Sequence, residues 1–235
     1  MIEHSLTGGR ITQGVVRVGD TVRRPASARS AFTRDLLQLL DRRGFDAAPR
    51  YLGRDDESRD ILIYLDGWAP AKFQRWADHQ VAAVGVLLRA FHDATHGTSL
   101  AAHHDVVCHH DPGPTNVVFR DGVPAALIDF DTAEPGSRLE DIGYAAWTWC
   151  IASKYDDADR QAEQVRILVD AYGLNGPQRH AVVDATLEQQ TRNARFWTEA
   201  AVEVSDRHRA DRITWSRREH AFTTANREVF ERALD

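Results

Sequence analysis

The chain has 235 residues, of which 43% are hydrophobic and 27% charged, the proportions of an ordinary soluble globular protein. Its net charge of −6, with basic residues scattered along the chain, argues against a general nucleic-acid binder. No apolar run approaches the ~20 residues that span a bilayer, and no signal peptide is visible at the N-terminus.

The two cysteines, Cys108 and Cys150, do not form a CxxC motif. Their positions support neither a disulfide framework nor a cysteine zinc site. We therefore expect a protein of the reduced cytoplasm, without a nucleic-acid partner and without a membrane partner.

The first 65 residues predict a small antiparallel sheet with one helix. Residues 10–24 alternate in strand fashion around a Gly19-Asp20 turn, which is typical of a β-hairpin. Residues 30–43 carry leucines at helical spacing, and Gly44 ends that helix. Two further strands are expected at residues 49–52 and 60–65, joined by a polar turn.

From Gly67 onward the pattern becomes mainly helical. Residues 72–95 predict a helix whose apolar stripe begins with Phe73 and Trp76. Strands and loops are expected over 106–131, and helical segments follow at 139–153, 158–173, 177–203 and 207–234. We therefore expect an α+β fold with a β-rich lobe at residues 1–66 and a helical lobe at residues 67–235.

The most informative stretch lies between these helices. His109, Asp111 and Asn116 form H-x-D-x-x-x-x-N, and Asp129 and Asp131 flank a phenylalanine at the end of an apolar strand. Phosphoryl-transfer enzymes use this order to hold a nucleophilic hydroxyl and magnesium ions. Eighteen residues separate Asp111 from Asp129, enough for a hairpin that returns both carboxylates to one edge.

Each of these groups has an expected role. Asp111 is the candidate base that orients the acceptor hydroxyl and receives its proton. Asp129 is the expected principal Mg²⁺ ligand, with Asn116 as a second ligand, because Mg²⁺ prefers hard oxygen donors. Asp131 either assists the metal or binds nearby loop amides. His109 is grouped with the catalytic residues, although bracing of the loop suits it better than chemistry.

Two alternatives compete for the same stretch. Aspartate and asparagine in turns often serve the turn alone. The doubled His-His-Asp at 103–105 and 109–111 also suggests a metallohydrolase, since imidazole and carboxylate bind zinc and iron. Its spacing is not HExxH, so we expect His103 and His104 to be exposed loop residues.

These motifs, together with Gly136 through Asp141, resemble the aminoglycoside phosphotransferase and choline kinase branch of the protein-kinase-like fold. That branch commonly has His-Gly-Asp where this chain has His-His-Asp at 109–111. Within that branch, the chain is especially similar to a group that includes trifolitoxin immunity-like proteins. The resemblance implies Mg²⁺, ATP or GTP as phosphoryl donor, and a small-molecule acceptor that is aminoglycoside-like or choline-like. It also implies that Asp141 anchors the catalytic loop through backbone hydrogen bonds.

The β-rich lobe, which would bind the nucleotide, departs from the family pattern. A kinase-like lobe needs a cation on its third strand, yet no lysine precedes Lys72. Arg23 is the best positional substitute and Arg24 the next, because only one of two adjacent strand residues faces the cleft. Asp35 is the acid expected to pair with it. Gly8, Gly9 and Gly14 form no GxGxxG.

Two classes of function therefore remain open. One is an ATP- or GTP-dependent phosphotransferase acting on a small-molecule hydroxyl, and the other is a catalytically weak or inactive kinase-like binding or immunity protein. A choline-type acceptor would need an aromatic cage, for which Phe196, Trp197 and Trp215 are candidates. Acidic and basic residues are interleaved over 188–209, so no strongly acidic aminoglycoside pocket is evident.

Overall fold

The computed structural model describes residues 3–6, 14–71, 74–199 and 205–235. Gly8, Gly9 and residues 10–13 of the expected hairpin lie outside these ranges. The expected α+β architecture is confirmed, with an antiparallel sheet in the N-terminal lobe and a mainly helical C-terminal lobe. A lobe boundary at residue 66 stays a prediction.

The N-terminal sheet has five strands in the order β1-β2-β3-β5-β4, all antiparallel to their neighbours. Its strands are β1 (His4–Ser5), β2 (Val16–Val18), β3 (Thr21–Arg24), β4 (Tyr51–Arg54) and β5 (Asp60–Ile63). Gly19, at φ +59°, turns β2 into β3 as the sequence predicts. Helix α1 (Ser30–Arg42) buries Leu36, Leu37 and Leu40 in the core.

The helical lobe contains seven helices among the described residues. They are α2 (Asp78–Thr95), α3 (Arg138–Ala145), α4 (Ala158–Tyr172), α5 (Gly176–His180), α6 (Val182–Glu199), α7 (Asp206–Ala225) and α8 (Arg227–Leu234). Four short strands lie between α2 and α3: β6 (Val106–Cys108), β7 (Val117–Arg120), β8 (Val123–Leu127) and β9 (Glu134–Gly136). Strand β6 pairs with β9, and β7 pairs with β8.

The prediction that a helix begins at residue 72 is wrong, because α2 begins only at Asp78. Gln80 accepts a hydrogen bond from the Ala77 backbone N–H at 3.0 Å, which fixes the first turn of the helix. Trp76 precedes the helix and packs its ring against Phe119 at 5.1 Å. Phe73 lies outside the described residues.

Two long helical segments are each divided. The segment expected at 177–203 is interrupted at Ala181, between α5 and α6. The segment expected at 207–234 is interrupted at Asn226, whose side chain donates to the Phe222 carbonyl at 2.9 Å. Asparagine is favoured where a side chain closes a helix end, so α7 ends there and α8 begins at Arg227.

The chain enters the helical lobe through a tight backbone contact. Gly67 has φ +136°, and a Cβ at this position would lie 2.4 Å from the Phe119 carbonyl oxygen. The next residue, Trp68, exchanges two backbone hydrogen bonds with Phe119 and stacks on its ring at 4.9 Å. Only glycine permits this close approach, and the contact ties the connecting segment to β7.

The core of the helical lobe is rich in tryptophan. Trp147, Trp149 and Trp197 are buried, as the sequence predicts. Cys108 and Cys150 are buried free thiols. Within the described ranges no helix combines the length and apolarity that crossing a bilayer requires.

Candidate functional site

The loop between β6 and β7 presents Asp111. One carboxylate oxygen of Asp111 accepts a hydrogen bond from Asn116 Nδ2 at 2.8 Å. The other accepts a hydrogen bond from the Tyr144 hydroxyl at 2.5 Å. Asn116 Nδ2 also donates to the Asp111 carbonyl at 2.9 Å, across the short 3₁₀ turn Pro114–Asn116. Asp111 is thereby held in one orientation from two sides.

The environment of Asp111 shifts its proton affinity. Burial raises the pKa of the carboxyl group, and the negative charge of Asp129 raises it further. The hydrogen bonds from Tyr144 and Asn116 and the nearby His109 act in the opposite direction without cancelling the rise. A carboxylate with a raised pKa is a better proton acceptor than an exposed aspartate.

His109 braces this loop, in agreement with the structural role considered for it. Its side chain is fully buried, and Nε2 lies 3.0 Å from the Ile128 carbonyl at the end of β8. Its Nδ1 accepts from the Asp111 backbone N–H at 3.3 Å. Because both ring nitrogens are used inside the protein, His109 positions Asp111 and has no free nitrogen for chemistry.

Asp141 anchors the loop from the first turns of α3, as the family resemblance implies. Its carboxylate accepts the backbone N–H groups of His109 and His110 at 2.7 and 2.8 Å. His92 Nε2 contacts the same carboxylate at 2.9 Å. Burial opposes ionisation of Asp141, but His92, His110 and His109 together hold its pKa below the usual range. The expected structural role of His92 is confirmed.

Two residues of the site adopt left-handed backbone conformations. His110 has φ +61° and Asp129 has φ +65°. Such conformations disfavour residues other than glycine, and they cluster at functional sites where surrounding contacts enforce them. At His110 the hydrogen bond from its backbone N–H to Asp141 at 2.8 Å supplies that enforcement, so a histidine is held in a conformation that glycine adopts more readily.

A second group of charges lies beyond β8. The guanidinium of Arg24, at the end of β3, donates to Asp129 Oδ1 at 3.0 Å and also to Asp131 Oδ2. The two carboxylates therefore converge on one positive charge. Arg29 supports the same turn by donating to the Asp131 carbonyl at 3.2 Å and the Ala133 carbonyl at 2.5 Å.

The prediction that Arg23 faces the cleft is wrong. Arg23 donates to Thr21 Oγ1 at 2.6 Å and lies 3.7 Å from Asp55, on the sheet face opposite to Arg24. The sequence predicts that Arg23 and Arg24 point to opposite faces of the strand, but it does not show which of them points to the cleft. The expected pair of Arg23 with Asp35 is also not formed, because Asp35 binds the adjacent Arg34 at 2.8 Å.

The donor set near Arg24 fits a hard divalent cation. Asp129 and Asp131 offer carboxylate oxygens that already share one cationic partner. Asn116 directs its amide nitrogen at Asp111, which leaves its amide oxygen as the group that can bind a cation. Oxygen donors of this kind suit Mg²⁺, whereas a zinc site would call for imidazole or thiolate.

The rival metal site is not assembled. His103 and His104 are exposed, as expected of loop residues, and their ring centroids lie 4.3 Å apart with the rings tilted at 35°. Among the described residues, the group with the geometry to bind a metal ion is His92, Cys108 and Asp141. All three are buried, and this Asp141 is the loop anchor.

The aromatic residues considered for a choline cage form a different arrangement. Trp215 stacks on buried Trp147 at 4.5 Å. Arg212 lies over Trp215 at 4.5 Å and near Trp197 at 5.7 Å. Phe196 meets Trp197 edge-on and is 44% exposed. The ring faces that would receive a cationic ligand thus already contact a cation of the protein.

Sequence reasoning missed two contacts of the site, those of Tyr144 and Arg29. Tyr144 follows Asp141 by three residues on α3, so the two side chains share one side of the helix. That spacing was available in the sequence. The position of Arg29 just before α1 carried no comparable signal, because its partners are backbone carbonyls about a hundred residues away.

The fold and the arrangement of these loops define a protein-kinase-like protein. The chain belongs to the phosphotransferase enzyme family, whose model matches residues 16–183. It is 33% identical to the trifolitoxin immunity protein of Rhizobium leguminosarum bv. trifolii, over 99% of this chain and 98% of that protein.

Solved structures share the fold at lower identity. A choline/ethanolamine kinase family protein from Mesorhizobium loti is 18% identical, with a TM-score of 0.62 over 100% of this chain and 91% of the other. An aminoglycoside phosphotransferase from Alicyclobacillus acidocaldarius is 15% identical, with a TM-score of 0.64 over the same shares of the two chains. The expected resemblance to both branches is confirmed.

Proposed function

We propose that this protein transfers the γ-phosphoryl group of ATP or GTP to a hydroxyl group of a small molecule. The observation that carries the proposal is the joint placement of two groups. Asp111 is fixed by Asn116 and Tyr144, and Asp129 and Asp131 converge on Arg24 from the N-terminal sheet. An acceptor-orienting carboxylate facing a cation-binding acidic pair is what in-line phosphoryl transfer requires.

Each residue has a role in this proposal. Asp111 orients the acceptor hydroxyl and takes its proton as the new O–P bond forms. Asp129, Asp131 and Asn116 would hold Mg²⁺, which when bound would neutralise phosphate charge. Arg24 moves from the two carboxylates to the phosphates of the donor, since its guanidinium binds phosphate oxygens in the same geometry as carboxylate oxygens.

Nucleotide binding is the first test. A ligand at ~100 times its Kd adds ~2.7 kcal/mol to the free energy of unfolding, so Mg-ATP or Mg-GTP should raise the melting temperature measurably. No rise with either nucleotide would sink the phosphotransferase proposal. Asp129→Ala is the matched control, because loss of a metal ligand should abolish the rise.

Transfer is the second test. A screen of γ-phosphoryl transfer over aminoglycosides, choline, homoserine and sugars addresses the acceptor directly. We expect Asp111→Asn to lower transfer by ~10²–10⁴-fold without unfolding the protein. Activity that survives this substitution would remove Asp111 from the mechanism.

A second candidate function is supported by the immunity protein to which the chain is 33% identical. A kinase-like protein that confers immunity by binding a toxin without turnover would keep the fold and lose phosphoryl transfer. Nucleotide binding followed by transfer favours the first proposal. Acceptor binding with no nucleotide binding favours the second.

A further inference from the structure

The Tyr144 hydroxyl occupies the position that an acceptor hydroxyl needs. It donates to Asp111 Oδ1 at 2.5 Å, the kind of hydrogen bond by which an acceptor hydroxyl would be oriented for attack. Asn116 already occupies the other carboxylate oxygen at 2.8 Å. A hydroxyl from outside therefore meets a carboxylate whose two oxygens both have donors.

The backbone beneath Tyr144 is held firmly. Ser137 caps the start of α3, and its backbone N–H donates to the Glu140 carboxylate at 3.0 Å in a capping box. The Tyr144 ring meets the buried Trp147 ring edge-on at 5.6 Å, and Thr148 donates to the Tyr144 carbonyl at 2.9 Å. The hydroxyl thus leaves Asp111 by rotation of the side chain and not by movement of the helix.

Gly113 lies beside this hydrogen bond. A Cβ at this position would lie 3.6 Å from the Tyr144 ring, 3.7 Å from Thr148 Oγ1 and 3.8 Å from Asp111 Oδ1. These are ordinary contact distances, so the backbone of Gly113 packs close to both partners of the hydrogen bond. The Tyr144–Asp111 contact thus lies against backbone that carries no side chain of its own.

We propose that Tyr144 is a positioning residue that occupies the acceptor place on Asp111 and keeps water from being activated there until an acceptor hydroxyl displaces it. This inference rests on the proposed function, because it assumes that a nucleotide binds opposite Asp111. In this role Tyr144 contributes to acceptor specificity, because an acceptor hydroxyl must displace the Tyr144 hydroxyl from Asp111 before it can be phosphorylated.

The reaction that Tyr144 restrains is hydrolysis of the donor. In that reaction a water oxygen forms a bond to the γ-phosphorus, and the bond from that phosphorus to the β–γ bridging oxygen breaks. The nucleoside diphosphate leaves with the electron pair of that bond. The water proton passes to Asp111 and then to solvent. Water would be activated at the carboxylate of Asp111, to whose Oδ1 the Tyr144 hydroxyl already donates.

The test measures phosphate release from Mg-ATP and from Mg-GTP without any acceptor, in the full chain. Tyr144→Phe keeps the ring and removes the hydroxyl. Because a hydrogen bond to a charged group contributes enough to change an equilibrium by ~10-fold or more, we expect hydrolysis to rise ~10-fold while the Kd for nucleotide is unchanged. Tyr155→Phe is the matched control, since Tyr155 contacts Arg75 and Lys154 through its ring, outside the Asp111 cluster.

The outcomes separate the inference from the function on which it rests. If Tyr144→Phe binds nucleotide normally and its hydrolysis is unchanged or lower than that of the unmodified chain, the inference is overturned and the phosphotransferase proposal stands. If calorimetry detects no nucleotide binding by the unmodified chain, both fail together. Asp111→Asn in the Tyr144→Phe background should remove the gained hydrolysis, and its persistence would also overturn the inference.

Discussion

Arg24 lies at the end of β3 and binds Asp129 and Asp131, so a single side chain links the N-terminal sheet to the acidic pair. In a nucleotide complex its charge would be shared with the phosphates. We expect Arg24→Met to weaken Mg-ATP binding by ~10-fold or more, the size of one charge-assisted hydrogen bond. Calorimetric titration measures this.

Arg23 provides the matched control for that experiment. It is the neighbouring arginine on the same strand, but it contacts Thr21 and Asp55 on the other face. Arg23→Met should leave the Kd for nucleotide within about twofold, the range of effects at sites away from the ligand. Equal weakening by the two substitutions would argue against a specific role for Arg24.

Burial of Asp111 disfavours the ionised form of its carboxyl group. Since burial raises the pKa of Asp111, its contribution to stability is present below the unfolded-state pKa and is lost as the pH rises through the folded-state pKa. Asp111→Asn is neutral at every pH. We therefore expect the variant to melt a few degrees above the unmodified chain at pH 7.

The pH dependence of this difference supplies the check. The gap in melting temperature should shrink as the pH falls and Asp111 becomes protonated. Asp141, whose pKa is lowered, loses its stabilising effect in acid in both proteins and so cancels from the comparison. A variant that melts lower at pH 7 would contradict the prediction.

At the scale of residues, spacing predicted that Asp111 and Asn116 lie on one loop. The interval between Asp111 and Asn116 is that of one short rigid turn, and the chain forms that turn. The sequence could not show which of Arg23 and Arg24 faces the cleft, because side-chain alternation along a strand does not reveal which face of the sheet meets the other lobe. The tertiary packing of the sheet decides this.

At the scale of elements, α3 and α6 cross so closely that there is no room for an added side-chain atom at Gly143. Gly143 lies against the α6 backbone, and a Cβ there would sit 2.6 Å from the Ala185 carbonyl carbon. Alanine would favour the helix by ~1 kcal/mol, but forcing backbones apart costs ~1–3 kcal/mol or more. We expect Gly143→Ala to lower the melting temperature by several degrees, as thermal unfolding would show.

Gly113 offers the comparison for that substitution. Its added Cβ would meet neighbours at ordinary contact distances, and its backbone at φ −73° is open to any residue. Gly113→Ala should therefore change the melting temperature far less than Gly143→Ala. Similar losses at both glycines would show that the α3–α6 contact has no special role.

Most elements were predictable, and the errors have a common cause. The hairpin at β2–β3 and helix α1 follow from local pattern and turn residues. The late start of α2 and the break at Asn226 depend on side chains that cap helix ends. A capping hydrogen bond contributes ~1 kcal/mol to the stability of a helix end, which is enough to decide where the helix begins or ends. The spacing of apolar residues carries no information about such caps.

At the scale of the whole molecule, the N-terminal lobe contacts the turn after β8 at several described residues, including Thr33, which donates to the Phe130 carbonyl at 3.4 Å. Arg24 and Arg29 reach the turn after Asp129, and Trp68 ties the connecting segment to Phe119. The fold class could be deduced from the order of elements. Which arginine meets the acidic pair could not be deduced from the sequence, since Arg24 is distinguished from Arg23 by its partners Asp129 and Asp131.

The buried cysteines have a practical consequence. Burial raises the pKa of Cys108 and Cys150 well above that of a free thiol, so both are inert toward alkylating reagents while the protein is closed. Cys108 is on β6, directly before the catalytic loop, and Cys150 ends the π-helical turn after α3. Each therefore reports on the opening of a different part of the same lobe.

Mass spectrometry can follow the rate at which each thiol is alkylated, and each rate measures how often the structure around that cysteine opens. We expect saturating Mg-ATP to slow the modification of Cys108 more than that of Cys150, because the ligand bridges the loop that Cys108 precedes. Equal protection would mean that the lobe opens as one cooperative unit. With no engineered label, the chain can thus reveal whether its catalytic loop loosens before its core does.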